Sequence, residues 1–207
     1  MTREFSKWVG ASEKRHLREL LRAAGEPVRY RSAMRALGRD LGKEIVKGLP
    51  PKGDVLVVCT VEDADYLARG VLEAIEVSRR VALTCFWNVR QRIGDHELAP
   101  IIERYEEPFT ANRIAALVVV KSIISGACVV RTNLMEVLDQ LKKRVPIFVA
   151  APVIHVDALA KLEREFPAAI VRRITAVWCA RDSERVGNTV VPGIGGTVYG
   201  LLGFSGA

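Results

Sequence analysis

The sequence predicts an α/β fold, a mostly parallel sheet with helices on both faces. Short apolar runs alternate with segments whose apolar residues recur at helical spacing, which is typical of parallel strands joined by helices. The chain has 207 residues, of which 49% are hydrophobic, and this suits one globular domain with a well-buried core. We therefore expect a single domain over residues 1–207.

The first 50 residues predict two helices ahead of the sheet. Lys14–Ala24 carries leucines on one face, and Ser12 is placed to cap this first helix. Gly25-Glu26-Pro27 reads as its end. Arg31–Lys47 repeats the helical pattern and predicts the second helix.

Beyond residue 50, five apolar runs predict strands: Val55–Thr60, Val81–Trp87, Ala116–Val120, Pro146–Ala151 and Ile174–Cys179. Helical spacing predicts the intervening helices around Leu67–Ile75 and over Thr132–Arg144 and His155–Phe166. The polar segment 88–108, with Gly94-Asp95 in its middle, predicts a projecting hairpin or flap, and 187–207 is a glycine-rich segment. In such sheets a ligand binds at the carboxyl ends of the strands.

The chain shows no sign of a membrane segment or a metal site. Its apolar runs are shorter than the ~20 residues of a membrane helix, and the first ten residues hold no apolar leader. We expect a cytoplasmic protein with buried, reduced thiols. The cysteines and histidines lack metal-ligand spacing; they are Cys59, Cys85, Cys128, Cys179, His16, His96 and His155.

The formal net charge of +7 favours an anionic ligand, a nucleic acid or an acidic partner. Arginines are densest over residues 13–39, and no nucleic-acid-binding motif accompanies them. A solvated basic face and a binding surface are both open interpretations.

The glycine-rich segment carries the most specific family resemblance. Asn188-Thr-Val-Val-Pro-Gly-Ile-Gly-Gly196 resembles the uracil-binding loop of the uracil phosphoribosyltransferase family, Gly-Tyr-Ile-Val-Pro-Gly-Leu-Gly-Asp. Upstream, Val149-Ala-Ala-Pro152 is similar to the strand that precedes this loop. The resemblance extends from about Arg29 to Gly203 and implies a phosphoribosyltransferase-like fold.

Three further segments occupy family positions in the same order. Val58-Cys-Thr-Val-Glu-Asp resembles the start of the pyrophosphate-binding loop, and Phe86-Trp-Asn88 stands where the family has Leu-Tyr-Arg. Val118-Val-Val-Lys-Ser-Ile-Ile-Ser-Gly-Ala-Cys128 is similar to the strand and loop that hold phosphoribosyl pyrophosphate.

The resemblance implies three sets of candidate site residues. The phosphate-loop positions are Lys121, Ser125, Gly126, Ala127, Cys128, Val129 and Arg131. The pyrophosphate-loop positions are Glu62, Asp63 and Asn88. The base-loop positions are Thr189, Val190, Val191, Pro192, Gly193, Gly195 and Gly196.

Several of these positions depart from the family pattern where its chemistry needs a particular group. Glu62 and Asn88 stand in place of arginines, and Lys121 in place of an aspartate. Other residues replace two glycines of the phosphate loop and an aspartate of the base loop; they are Ala127, Cys128 and Gly196. Catalytic residues are therefore not assigned, and no metal ligands are predicted.

The charge reversal at Glu62 has the clearest physical consequence. Phosphoribosyl transfer must neutralise a departing pyrophosphate, which arginine does with forked donors. A carboxylate about 4 Å from a phosphate charge repels it by about 4 kcal/mol at an effective dielectric near 20. The base loop is less affected, because the family reads the base largely through main-chain groups.

Three functions remain open from the sequence. The first is a catalytically silent homologue that acts as a nucleotide-, nucleic-acid- or protein-binding regulatory or effector subunit. The second is an atypical active transferase, which would join a pyrimidine base to phosphoribosyl pyrophosphate, need magnesium, and use Lys121, Arg131 or the 90–92 hairpin. The third is a basic nucleic-acid-binding module. The resemblance also implies a homodimer.

Overall fold

The computed structural model describes residues 3–89, 91–93, 96–141 and 143–204. Its helices are α1 (Ala11–Arg22), α2 (Pro27–Gly48), α3 (Val61–Asp63), α4 (Arg69–Glu76), α5 (Cys128–Leu141), α6 (Ala158–Glu165), α7 (Ala168–Val171) and α8 (Val198–Leu201). A π-helical segment, Ala64–Ala68, joins α3 to α4. Within these residues no helix is both long and apolar enough to cross a membrane.

The strands are β1 (Arg3–Phe5), β2 (Asp54–Thr60), β3 (Val81–Asn88), β4 (Gln91–Ile93), β5 (His96–Leu98), β6 (Ile101–Glu106), β7 (Ile114–Val120), β8 (Ile123–Ile124), β9 (Ile147–His155), β10 (Ile174–Asp182), β11 (Glu184–Val186) and β12 (Thr189–Val191). The main sheet has the order β1-β10-β9-β7-β2-β3-β6, and β8 also pairs with β9. The pairs from β10 to β3 are parallel, whereas β1 and β6 are antiparallel edge strands. The predicted mixed α/β fold with a mostly parallel sheet is confirmed.

Two apolar clusters, one on each face of the sheet, form the core. In β2, Val55 and Val57 belong to the cluster under α1, α2 and α4, while Leu56 and Val58 belong to the cluster under α5 and α6. This alternation explains why the strand is a continuous apolar run, as expected when both faces are covered.

Helix α2 and the helix after β2 approach each other backbone to backbone. A Cβ at Gly38 would overlap the carbonyl oxygen of Leu67, and one at Gly70 would overlap that of Arg35. Glycine at both positions is therefore a packing requirement.

The two N-terminal helices begin earlier than predicted. The predicted cap at Ser12 is wrong, because Ser12 lies inside α1 and Gly10 precedes it. Gly10 N donates to the Glu13 carboxylate at 2.7 Å. Pro27 opens α2 rather than marking a break, since proline suits the first helical turn, where its missing N–H has no partner to lose.

The segment predicted as a flap contains an edge strand of the main sheet. β4 and β5 form a small antiparallel hairpin, but β6 pairs with β3, for example Cys85 with Tyr105. Gly94-Asp95, predicted as the turn, lies outside the described residues. The sequence missed β6 because its exposed outer edge carries charged residues, which resemble a loop.

Candidate functional site

The carboxyl ends of β2 and β7 lie side by side at the centre of the sheet. The chain leaves β2 for β3 on one side of it, whereas β7, β9 and β10 lie on the other. Such a topological switch point is where open α/β sheets place a ligand crevice. Glu62 and Asp63 follow β2 directly, and Lys121 follows β7.

Lys121 fills this position with its own ammonium group. Its Nζ donates to Thr60 Oγ1 at 3.0 Å, to Glu62 Oε1 at 2.6 Å and to Asp63 Oδ2 at 2.8 Å. Since an ammonium has three donors, all of them are used. Asp63 also accepts from Thr60 Oγ1 and, at 3.0 Å, from Ser122 N. We call Thr60, Glu62, Asp63 and Lys121 the lysine cluster.

The lysine cluster is largely buried, and its two carboxylates stabilise the charged form of Lys121. The Lys121 and Asp63 side chains are 7% and 0% exposed, while Glu62 is 22% exposed. Burial alone would lower the pKa of Lys121, but the charges of Asp63 and Glu62 raise it above its usual value. One ammonium between two carboxylates makes the cluster net negative when all three groups are ionised.

The two carboxylates differ in pKa because they differ in burial. Burial would raise the pKa of Glu62, but the charge and hydrogen bond of Lys121 hold it below its ordinary range. Burial raises the pKa of Asp63 in spite of Lys121. Burial and the charge of Glu62 also raise the pKa of Tyr199, a residue of α8.

The phosphate-loop positions form a short turn ahead of α5. Ser125 and Gly126 stay in the turn, and Ala127 is buried against the core. Cys128, Val129 and Arg131 lie in the first turn of α5 rather than in a loop. Arg131 is half exposed and pairs with Glu165 at 3.3 Å.

An arginine that sequence analysis did not single out covers this turn. The Nη2 of Arg185, in the β11–β12 hairpin, donates to the carbonyl oxygen of Ser125 at 2.5 Å. Nearby, His155 ends β9, and its Nδ1 accepts from Asp157 N at 3.2 Å. Burial, together with the charge of Arg185, lowers the pKa of His155.

Asn88 lies outside the lysine cluster and fastens the hairpin base to α5. Its Nδ2 donates to Asn133 Oδ1 at 2.9 Å and to Ala99 O at 2.9 Å, and Asn133 Nδ2 donates back at 3.1 Å. The structure therefore brings Glu62, Asp63 and Lys121 together. Asn88 instead forms its side-chain hydrogen bonds with Asn133 and Ala99. Asn133 was missed, although a polar residue on the buried face of a helix is the signal for such a pair.

The glycine-rich loop is held by residues far away in the chain. Asp182, fully buried, accepts from Gly193 N at 2.8 Å and from Arg3 Nε at 2.8 Å. Arg3 Nη2 also donates to Gly193 O at 2.7 Å, and Tyr30 Oη donates to Ile194 O at 2.9 Å. Sequence analysis missed Arg3, Tyr30 and Asp182.

The conformation of this loop requires glycine. Gly193 has a φ of +54° and Gly195 a φ of +92°, and the Val191–Pro192 peptide is cis. These positive φ values lie in the region that favours glycine. The remaining base-loop positions precede the turn or end it: Thr189 is exposed, Val190 is buried, and Gly196 is half-buried.

The main-chain donors of this loop are partly occupied inside the protein. Gly193 N donates to Asp182, and Gly195 N donates to the carbonyl oxygen of Pro192 at 3.1 Å. These two N–H groups are therefore not available to a bound base in this conformation.

A cleft of about 190 Å³ lies at the opposite, amino-terminal edge of the sheet, where Arg80, Phe109 and Arg113 are among its lining residues. It contains none of the candidate site residues. In the described part of the chain no group of three His, Cys, Asp or Glu side chains is arranged to hold a metal ion.

The AQ2163 protein from Aquifex aeolicus has a similar structure, with a TM-score of 0.72 and 13% identity over 96% of this chain and 97% of that one. A hypoxanthine phosphoribosyltransferase from Staphylococcus aureus matches with a TM-score of 0.48 and 10% identity, covering 73% of this chain and 74% of its own. A xanthine-guanine-hypoxanthine phosphoribosyltransferase from Helicobacter pylori matches at 0.47 and 13%, covering 72% and 81%. No protein-family model and no curated protein matches the chain. The likeness to the Aquifex protein shows a common fold along nearly the whole chain.

Proposed function

We propose that this chain is a catalytically silent homologue of the uracil phosphoribosyltransferase family that acts as a regulatory or effector subunit by binding another molecule. The observation that carries the proposal is the lysine cluster. Lys121 Nζ lies within 3.0 Å of three oxygens at the switch point, where a transferase would need free groups for phosphate and magnesium.

The order of three segments along the chain supports descent from the transferase family. The strand at Val58, the loop at Lys121 and the Pro-Gly-Ile-Gly turn at Pro192 follow one another as in the family, and each lies at the carboxyl edge of the sheet. A fold can retain this arrangement while its chemistry is lost.

The lysine cluster does not fit magnesium. Magnesium is bound through carboxylate oxygens and water in octahedral geometry. Here both oxygens of Asp63 accept hydrogen bonds, and Lys121 Nζ bonds both Asp63 and Glu62. A magnesium ion would have to displace the buried ammonium of Lys121 from both carboxylates.

The glycine-rich loop, where the family resemblance places the base, supports the same proposal. A pyrimidine read through main-chain donors would compete with Asp182 for Gly193 N and with the Pro192 carbonyl for Gly195 N. Breaking such bonds would cost about 1–3 kcal/mol each before the base gains anything.

The test is a pyrophosphate-release assay combined with isothermal titration. The protein is mixed with phosphoribosyl pyrophosphate, magnesium and each common nucleobase, and a uracil phosphoribosyltransferase of known activity serves as the positive control. We expect no turnover with any base and no magnesium-dependent binding of phosphoribosyl pyrophosphate.

Release of pyrophosphate with any base would contradict the proposal and favour the atypical transferase. Two of the cations that such an enzyme would use are already paired: Lys121 lies in the lysine cluster, and Arg131 pairs with Glu165. The third candidate, the 90–92 hairpin, includes Arg90, which lies outside the described residues.

We also propose that the chain forms a homodimer, with the β4–β5 hairpin as a dimer arm or site flap. Size-exclusion chromatography coupled to light scattering measures the mass of the protein in solution directly. A mass of one chain at micromolar concentration would contradict it.

A further inference from the structure

The outward face of α1 and α2 is predominantly basic. The charged residues that these two helices expose are cations, whereas Glu13, Glu19 and Glu44 are half-buried and Asp40 is buried. Arg29 is paired with Glu19 and with Glu26, the exposed residue that precedes α2. We call these exposed cations the basic ridge: Lys14, Arg15, Arg18, Arg22, Arg29, Arg35, Arg39, Lys43 and Lys47.

The cations on α2 form a regular row. Arg35, Arg39, Lys43 and Lys47 are each four residues apart, which spaces them by about 6 Å along the axis and extends the row over about 18 Å. Like charges at this spacing destabilise a helix. The repulsion within the row therefore does not stabilise α2, although Arg35 and Arg39 also pair with Glu73 of α4. A solvated face would normally mix the two signs.

Nearby carboxylates neutralise the positive charges of this row only in part. Arg35, Arg39 and, from α4, Arg69 all converge on Glu73, so three positive charges share one carboxylate. Lys47 pairs with Glu44 and stays 71% exposed. The helix layer on the other face of the sheet differs, since α6 exposes Glu163 and Glu165 beside Arg164.

The basic ridge lacks the features typical of surfaces that bind single-stranded nucleic acids or other proteins. None of the residues exposed on α1 and α2 is aromatic, and single-stranded nucleic acids are normally held by aromatic stacking as well as charge. Val28 is the single large apolar side chain that these two helices expose, whereas protein interfaces centre on an apolar, aromatic-rich patch.

We propose that the basic ridge binds the phosphate backbone of double-stranded DNA without reading its sequence. Duplex DNA carries one charge per roughly 1.7 Å of axis, so the row on α2 spans about ten phosphates. This inference goes beyond the silent-homologue proposal and does not depend on it, because the ridge lies on the helix layer and not at the carboxyl edge.

The test is fluorescence anisotropy with a labelled duplex of about 20 base pairs between about 50 and 200 mM salt. The variant Arg35→Gln/Arg39→Gln/Lys43→Gln removes three ridge charges. The matched control, Arg144→Gln/Arg164→Gln/Arg172→Gln, removes three exposed charges away from α1 and α2. Thermal melts check that both variants fold, and Arg15→Gln/Arg18→Gln/Arg22→Gln replaces the first variant if it does not.

We expect wild-type affinity to fall steeply with salt. The ridge variant should bind at least about tenfold more weakly, with a salt slope lower by about 3, while the control stays within about threefold of wild type. Equal losses in the two variants would overturn the proposal, since net charge alone would then explain binding. Tighter binding of single-stranded DNA or duplex RNA, equal competition by polyglutamate, or no binding at 50 mM salt would overturn it as well.

Discussion

The two halves of the carboxyl edge are held by different kinds of group. In the lysine cluster, side chains that follow neighbouring strands satisfy one another's charges and hydrogen bonds. In the glycine-rich loop, the main chain sets the conformation, and side chains from distant parts of the chain hold it at Gly193 and Ile194. The lysine cluster therefore depends on the identity of each charged side chain, whereas the loop depends on its glycines and on a few anchoring side chains.

The largest expected effect is at Lys121. Lys121→Met removes the cation between Asp63 and Glu62, so two carboxylates remain buried or half-buried without a cationic partner, although Asp63 keeps its hydrogen bonds from Thr60 and Ser122. Breaking a buried ion pair in this way costs about 3–5 kcal/mol of unfolding free energy. Urea denaturation measures it, with the exposed Lys43→Met as a control that should change stability by less than about 0.5 kcal/mol. Similar midpoints for the two variants would show that the cluster is not a buried ionic unit.

Asp182→Asn tests the glycine-rich loop in the same way. The neutral amide weakens the charge-assisted bonds from Arg3 and from Gly193 N, and we expect a loss of about 2–3 kcal/mol in urea denaturation. Asp139→Asn, on the exposed face of α5, is the matched change and should be close to neutral. If neither substitution changes the free energy of unfolding, Asp182 is not needed to hold the loop. That result would contradict the view that distant side chains fasten the glycine-rich loop.

A smaller effect is expected for Tyr30→Phe, which removes only the hydroxyl that donates to Ile194 O. The ring still packs in the core, so the expected loss is about 1–2 kcal/mol. Tyr105→Phe alters a tyrosine that is 52% exposed and provides the control. An unchanged midpoint for Tyr30→Phe would mean that water replaces the hydroxyl.

The smallest effect concerns pH and His155. Its folded pKa is lowered, so the unfolded chain takes up this proton first, and stability is complete above about pH 6.5 and declines as pH falls below it. The largest loss that this one group can contribute between pH 7.5 and 5.5 is about 1.4 kcal/mol. His155→Asn, which keeps an acceptor for Asp157 N, should show a shallower decline in urea midpoints. An identical decline would assign the pH dependence to other groups.

Much of the fold was accessible from sequence because the parallel strands of the main sheet contain apolar runs such as Val55–Thr60. The errors have local causes: Pro27 signals a break as readily as a helix start, and the charged β6 resembles a loop. Most of the site was not accessible. Arg3 meets Asp182 from 179 residues away, and Tyr30 meets Ile194 from 164 residues away. No spacing rule covers such distances, and only the proximity of Glu62, Asp63 and Lys121 followed from strand ends.

Helix α2 lies between the base loop, the neighbouring helix and the basic ridge. Its inner side meets the π-helical segment that follows Asp63 at Gly38 and the glycine-rich loop at Tyr30, and its outer side carries much of the basic ridge. Since Gly38 leaves no space between the two backbones, α2 cannot slide along its axis without disturbing the base loop and the neighbouring helix together. The basic ridge, the neighbouring helix and the base loop therefore rest on one helix, whose position is fixed by close backbone packing at Gly38 and by the hydrogen bond of Tyr30.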